Sequence, residues 1–72
     1  MTDRLIIYAT ESAYWHNVTV REIMGRGRSH SVVAARKAVM RQLRADGFST
    51  SQIGRWMGRD HSTVVHATRR QN

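Results

Sequence analysis

The sequence predicts an all-α protein, a compact bundle of about five helices. Proline, which interrupts helices most strongly, is absent from all 72 residues. Arginine, alanine, methionine and leucine, which favour helices, occur throughout the chain. Several segments place apolar residues three and four positions apart, as the buried face of a helix requires. We expect residues 1–72 to form one domain with a small core.

Charge is unevenly distributed along the chain. Twelve Lys and Arg residues outnumber five Asp and Glu residues, for a net charge of +7 with neutral histidines. Residues 1–24 hold two cations against three carboxylates, a net of −1, whereas residues 25–72 hold ten against two, a net of +8. Eleven of the cations are arginine, whose planar fork suits phosphates and guanine edges. This charge pattern indicates a nucleic-acid partner. A solvated basic face, or attraction to an anionic membrane, would explain the same excess of basic residues.

The composition also limits the other classes of protein. There is no cysteine, so neither a disulfide nor a thiolate zinc site is expected. No apolar run approaches the roughly 20 residues of a membrane span and no signal-peptide pattern is present, so we expect a cytoplasmic protein without a membrane partner. His16, His30, His61 and His66 lack partners at metal-ligand spacing, and no nucleophile–base set stands out. We therefore expect no enzyme activity, cofactor or metal.

The first two predicted helices are short and carry little charge. Residues 4–15 form the first, with five residues available for packing: Leu5, Ile6, Tyr8, Ala9 and Ala13. We expect Tyr14 and Trp15 in the core or at its edge, because a base-stacking surface would interleave aromatic residues with cations. Thr19 followed by Glu22 is a capping-box pattern and predicts the second helix.

A basic segment follows at residues 25–30. Two glycines disfavour a helix there, while Arg26, Arg28 and His30 supply cationic groups. A flexible arginine segment can enter a narrow minor groove, where the negative potential is enhanced. An ordinary basic surface loop is the alternative.

The third predicted helix is the longest, with Ser31 as its N-cap and Gly47 as the residue that ends it. Its apolar residues recur at helical spacing: Val32, Ala35, Val39, Met40 and Leu43. Arg36 and Lys37 lie closest to the basic segment, so they are the better candidates on this helix for phosphate contacts.

Two short helices joined by a tight turn complete the prediction. Ser49 and Gln52 form a second capping-box pattern, and Gly54 indicates close packing against a neighbour. Asp60 is a good N-cap for the last helix. This helix is expected to turn Val64, Val65 and Thr68 inward, and Ser62, His66, Arg69 and Arg70 outward. A helix, a glycine-containing turn and a second helix with a polar face are typical of a helix-turn-helix, whose second helix enters the major groove.

Residues 59–67, RDHSTVVHA, form the most specific pattern in the chain. They closely resemble the signature of the C-terminal DNA-binding domain of DnaA, the bacterial replication initiator. Weaker similarity continues upstream, so that the resemblance covers roughly residues 5–70. It implies an all-helical domain, related to that of the Trp repressor, that binds duplex sites called DnaA boxes.

The resemblance also implies roles for individual residues. Arg28 matches an arginine that enters the minor groove, whereas Arg36 and Arg59 match arginines that contact the DNA backbone. The run that reads major-groove bases matches Asp60, His61, Ser62 and Thr63. The predicted phosphate-contacting set further includes Arg26, Ser31, Lys37, His66 and Arg69. For His66, a place at the edge of the core or a hydrogen bond to the backbone is the alternative.

The sequence departs from this family's pattern in several places. No G-x-x-x-x-G-K-[ST] phosphate loop is present, so the ATPase activity of the initiator is not expected of this chain. Ser62 replaces a threonine and thereby removes a methyl group that could pack on thymine. Ala35 and Lys37 replace proline and glutamine, and the turn before Asp60 is one residue shorter than usual. We expect DNA binding to persist with an altered target sequence.

The sequence therefore predicts a stand-alone double-stranded DNA-binding protein, a small regulator of replication initiation or transcription. It could compete with or assist a replication initiator, in the nucleoid or, for a phage protein, in the host cytoplasm. The alternative is a helical adaptor whose near-neutral residues 1–24 bind the initiator or another acidic partner. Both a monomer and a dimer are compatible with the sequence.

Overall fold

Five helices make up the part of the chain that the structure describes. The computed structural model describes residues 2–69. The helices are α1 (Asp3–His16), α2 (Val20–Met24), α3 (His30–Ala45), α4 (Thr50–Met57) and α5 (His61–Thr68). The predicted all-α bundle is therefore confirmed. Within residues 2–69, no helix has the length and apolar character needed to cross a membrane.

The longest helix, α3, lies at the centre of the bundle. All four other helices pack against it. Its predicted apolar stripe is confirmed, because every member is buried: Val32, Ala35, Val39, Met40 and Leu43. Leu5, Ile23, Ile53 and Val64, one from each of the other helices, complete the core around it. The position of each shorter helix is thus set by its contact with α3.

Both predicted capping boxes are present. Ahead of α2, the Glu22 backbone N–H donates to Thr19 Oγ1 (3.0 Å), and the Thr19 backbone N–H donates to Glu22 Oε1 (2.9 Å). Ahead of α4, the Gln52 backbone N–H donates to Ser49 Oγ (3.1 Å), and the Ser49 N–H donates to Gln52 Oε1 (3.0 Å). These reciprocal bonds satisfy backbone donors that the first turn of a helix leaves unpaired.

The start of α3 differs from the prediction. The N-cap is Ser29 rather than Ser31, since Ser29 is extended (φ −61°, ψ 150°) and its carbonyl accepts the first helical bond, from the Val33 N–H at 2.9 Å. Ser31 is consequently an exposed residue of the first turn. Asp60 occupies the predicted N-cap position of α5, but its carboxylate makes no capping hydrogen bond.

Three residues of α1 lie outside the core, contrary to the prediction. Tyr14 and Trp15 are each 78% exposed, and Ile6 is 50% exposed. The side of α1 that faces the core carries smaller residues: Leu5, Ala9, Ser12 and Ala13. Ser12 Oγ donates to the Ala35 carbonyl of α3 at 2.8 Å, a contact that requires the two helices to approach closely. That approach turns the large aromatic rings away from the core.

A buried arginine holds the loop between α2 and α3, residues 25–29, hereafter the basic loop. Arg36 of α3 is 9% exposed. Its Nε donates to the Ile23 carbonyl (2.8 Å), and its Nη1 donates to that of Gly27 (3.1 Å). Its Nη2 donates to the carbonyls of Glu22 and Gly25, both at 3.0 Å. One side chain therefore bonds to four carbonyls at the end of α2 and in the basic loop, of which the Glu22 carbonyl also accepts from the Gly25 backbone N–H at 3.2 Å.

Gly54 allows α4 to contact the turn that precedes α5. A Cβ atom at this position would lie 2.6 Å from the Arg59 carbonyl oxygen. The Arg59 N–H in turn donates to the Gly54 carbonyl at 2.8 Å. The predicted close packing at Gly54 is therefore confirmed, and the neighbour is the backbone of the turn.

We predict that Gly54→Ala destabilises the domain by about 1–3 kcal/mol, because the added methyl group must displace backbone atoms. This loss exceeds the gain in helix propensity, about 1 kcal/mol for replacing glycine with alanine. Urea denaturation monitored by circular dichroism measures the difference. Ser51→Ala, an exposed position of the same helix, is the control and should change little. An unchanged midpoint for Gly54→Ala would contradict the close packing.

We also predict that Arg36→Lys destabilises the domain by about 1.5–3 kcal/mol, as expected for lost hydrogen bonds of a charged group. Lysine keeps the charge but cannot reach four carbonyls with one ammonium group. Thermal and urea denaturation without DNA measure the loss. Lys37→Arg, at the exposed neighbouring position, should leave the stability unchanged. Equal midpoints for the two variants would show that the carbonyl contacts of Arg36 do not stabilise the fold.

Candidate nucleic-acid interface

α4, the turn at residues 58–60 and α5 form a helix-turn-helix. α4 ends at Met57, and its C-cap Gly58 has a left-handed backbone (φ 67°) that reverses the chain. α4 and α5 pack against each other and against α3. α5 has eight residues, too few to be stable in isolation. The presentation of α5 therefore depends on its packing against α3 and α4.

α5 turns an apolar side to the core and a polar side to solvent. Val64 (0% exposed) and Ala67 (4% exposed) are its buried residues. Val65 and Thr68, both expected to face inward, are partly buried. Four of the five residues predicted to read bases, all except Arg28, are exposed at the N-terminal end of α5: Asp60, His61, Ser62 and Thr63. That end is the part of a recognition helix that reaches base edges in the major groove.

The basic loop lies beside the turn of the helix-turn-helix. Arg26 and Arg28 are exposed on the loop. Arg59, from the turn, donates through Nη2 to the Gly25 carbonyl and through Nη1 to the Met57 carbonyl (3.0 Å). The predicted minor-groove segment is thus in direct contact with the turn that precedes the predicted recognition helix, although Gly25 and Arg59 are 34 residues apart.

Three arginines create a region of uncompensated positive charge at this contact. Burial lowers the pKa of Arg36, and the nearby Arg59 lowers it further. Burial also lowers the pKa of Arg59, with Arg26 as the second cause. Among residues 2–69, the one ion pair joins Arg4 to Asp46, so none of these three guanidiniums is paired with a carboxylate. A cluster of this kind attracts phosphate groups.

A cleft of about 310 Å³ between α3 and α5 brings several of the predicted residues together. Its polar lining consists of Arg36, Lys37, Arg59, Thr63 and His66, all members of the predicted DNA-contacting set. Its floor is apolar and includes Met40 and Ala67. One predicted base-reading residue, Thr63, therefore shares a concave surface with four predicted phosphate-contacting residues: Arg36, Lys37, Arg59 and His66.

Several other residues predicted to contact DNA do not line this cleft. Arg26 and Arg28 are on the basic loop, and Ser31 is on the first turn of α3. Arg69 directly follows α5 and is exposed rather than part of its last turn. His66 is exposed and lines the cleft, so it does not pack into the core. Arg70, predicted to face outward, lies outside the described residues.

The principal contacts of Arg36 and the role of Gly25 were not predicted from the sequence. Four of the five N–H donors of Arg36 are engaged by backbone carbonyls, which leaves one Nη1 N–H for the predicted phosphate contact. The Gly25 carbonyl accepts from both Arg36 and Arg59. The sequence does contain a signal for these hydrogen bonds. A glycine-rich loop cannot satisfy its own carbonyls, and arginine is the side chain with the most donors.

Comparison with known proteins identifies the family. The family model for the bacterial DnaA protein helix-turn-helix matches residues 5–70. The chain is 43% identical over 58 residues to the chromosomal replication initiator protein DnaA of Herpetosiphon aurantiacus, with 78% of this chain and 12% of that protein covered. It is 42% identical over 60 residues to DnaA of Streptococcus thermophilus, with 81% of this chain and 13% of that protein covered.

A third relative, DnaA of Deinococcus radiodurans, is 38% identical over 68 residues, with 93% of this chain and 14% of that protein covered. The chain thus spans about an eighth of the length of these curated relatives. The matched region contains α4, the turn and α5 as well as the basic loop. The chain belongs to the bacterial DnaA C-terminal helix-turn-helix family, a family of DNA-binding domains.

Proposed function

We propose that this protein binds double-stranded DNA at specific sites that resemble DnaA boxes, and that it acts as a small regulator of replication initiation or transcription. The observation that carries the proposal is the junction of the basic loop with the turn before α5. Because the loop and the turn are in contact, the exposed arginines of the basic loop and the exposed polar end of α5 lie on one surface. Such a surface suits a duplex, because adjacent major and minor grooves can be contacted together.

Phosphate contacts would supply most of the affinity. Lys37, Arg59 and His66 line the cleft between α3 and α5, and Arg26 lies on the basic loop beside it. The remaining candidates are Ser31, Arg69 and the one free N–H of Arg36. Their cationic groups meet no carboxylate in residues 2–69, so they remain available to neutralise DNA phosphates and release counterions.

Base contacts would supply the specificity. The exposed end of α5 offers acceptors from Asp60, donors and acceptors from His61, and the hydroxyl groups of Ser62 and Thr63. These small polar groups can approach base edges in a major groove. Arg28, exposed on the basic loop, is suited to the narrow minor groove of an A·T-rich step.

The departures from the family pattern bear on the target. Because Ser62 lacks the methyl group of threonine, a contact with a thymine methyl would be lost at one position of the site. We therefore propose a target related to the DnaA box rather than identical to it. Selection of bound duplexes from a random pool, followed by fluorescence anisotropy, tests this. Equal affinity for the selected duplex and a scrambled one would contradict sequence-specific recognition.

We predict that Arg28→Ala and Thr63→Ala each reduce the discrimination between the selected and scrambled duplexes by about 1–3 kcal/mol, the value of one base contact. Anisotropy titrations with both duplexes at constant salt measure the change. Gln42→Ala, an exposed residue of α3 on the side near α1, should leave the discrimination unchanged. If both variants discriminate as well as the unmodified protein, the bases are read by other residues.

A different result is expected for Lys37→Ala, which removes a charge from the cleft. It should weaken binding to both duplexes by a similar factor and reduce the salt slope, log K against log salt concentration, by about 1. Titrations at several salt concentrations measure this slope. A slope equal to that of the unmodified protein would show that Lys37 contacts no phosphate.

A further inference from the structure

We propose that Arg59 is a positioning residue that couples the basic loop to α5, so that the two elements read DNA as one unit. This inference rests on the DNA binding proposed above and goes beyond it. It assigns to Arg59 a role in specificity that is separate from a phosphate contact.

Arg59 lies between the basic loop and α5 and can hold the two elements in a fixed relative position. It immediately precedes Asp60, the N-cap of α5, and it is half-buried. Its Nη1 is held by the Met57 carbonyl at 3.0 Å, and its Nη2 is held by the Gly25 carbonyl. Since an arginine has five N–H donors, three remain for a phosphate while the two carbonyl contacts persist.

The acceptor on the loop side is itself fixed. The Gly25 carbonyl also accepts from Arg36 Nη2 at 3.0 Å, and Arg36 is anchored in α3. Arg59 therefore bonds to a point that is rigid relative to the centre of the bundle. α2, which leads into the basic loop, packs on α1 and α3, whereas α5 packs on α3 and α4. Apart from the shared support of α3, the side-chain hydrogen bond between the loop and the turn within residues 2–69 is that of Arg59 to the Gly25 carbonyl.

Loss of this contact should affect specificity more than affinity. Arg28 follows Gly25 by three residues, and Thr63 follows Arg59 by four. If Gly25 and Arg59 separate, the two base-reading groups can no longer occupy their grooves simultaneously in the best geometry. The cationic groups remain on the surface, so the sequence-independent attraction to phosphates persists.

Two variants disrupt the contact from opposite sides without removing a charge. Arg59→Lys keeps a cation but cannot hold both carbonyls as the guanidinium fork does. Gly25→Ala crowds the end of α2, because its Cβ would lie 3.1 Å from the Arg21 carbonyl oxygen and one of the two residues must shift by a few tenths of an ångström. Gly27→Ala is the matched control, since the nearest atom to its Cβ is a Val32 side-chain carbon at 4.0 Å. Circular dichroism and thermal unfolding establish that each variant is folded.

The first measurement uses the free protein. Backbone ¹⁵N order parameters of residues 58–61, the side of the contact that Arg36 does not hold, should fall in Arg59→Lys and Gly25→Ala, from values near those of rigid backbone, about 0.85, and remain high in Gly27→Ala. Equal order parameters in all the proteins would overturn the positioning role, whether or not the protein discriminates between duplexes.

The second measurement is a double-mutant cycle on duplex discrimination. Arg28→Ala and Thr63→Ala each reduce the ratio of affinities for the selected and scrambled duplexes by some factor. In the otherwise unmodified protein, the factor for the double variant should differ from the product of the two single factors by about fivefold to tenfold, because both sites are coupled. In the Arg59→Lys and Gly25→Ala backgrounds, the two effects should multiply to within about twofold, as for independent sites. The affinity of Gly25→Ala for the scrambled duplex should stay within about twofold of the unmodified protein.

The outcomes separate the two proposals. If the unmodified protein binds the selected and scrambled duplexes equally, the proposed sequence-specific function fails, and the order parameters alone decide the coupling. If the unmodified protein discriminates and Gly25→Ala retains both the discrimination and the non-additivity, the coupling is overturned. If Arg59→Lys weakens binding to both duplexes by the same factor while Gly25→Ala has no effect, Arg59 is a phosphate contact only.

Discussion

The DNA-facing surface depends on hydrogen bonds from arginine side chains to the carbonyls of the basic loop. Residues 25–29 are not helical, and the carbonyls of Gly25 and Gly27 accept from side chains elsewhere in the chain. Arg36 satisfies four carbonyls in and before this loop, and Arg59 contributes a bond to one of them. Carbonyl acceptors order the guanidiniums without neutralising them, whereas carboxylate partners would have cancelled their charge. The same contacts thus hold the loop in place and keep the surface positive.

This arrangement has an electrostatic cost. Arg36 is nearly buried with a second arginine beside it, and both effects disfavour its charged form and lower its pKa. The carbonyl bonds compensate for the lost hydration, and a guanidinium remains protonated even with a lowered pKa. A bound phosphate would relieve the repulsion among Arg26, Arg36 and Arg59. The free protein therefore holds a local charge imbalance that DNA binding would reduce.

α3 connects this charged region to the rest of the fold. Its apolar side is fully buried and supports the four other helices, while its N-terminal half carries Arg36 and Lys37. Near its C-terminal half, Arg41 Nε donates to the Ala67 carbonyl at 3.0 Å and so holds the end of α5. Because the buried residues of α5 are Val64 and Ala67, its contacts with α3 and α4 together set where its polar side points. α3 thus supports both candidate DNA-reading elements, the basic loop through Arg36 and α5 through direct packing.

The sequence by itself determined the features that depend on residues close together in the chain. The capping boxes at Thr19 and Ser49, the apolar stripe of α3 and the exposed polar end of α5 all follow from spacings of three or four residues, and all are present. The tertiary structure alone decided which side of α1 faces the core, and so exposed Tyr14 and Trp15. It also decided that Arg36 binds carbonyls up to 14 residues away, and that Arg59 meets Gly25. The spacing of residues along the chain cannot predict these arginine–carbonyl hydrogen bonds, because an arginine can donate equally well to a phosphate, a carbonyl or water. Only the packing of the helices around α3 brings one of these partners within reach.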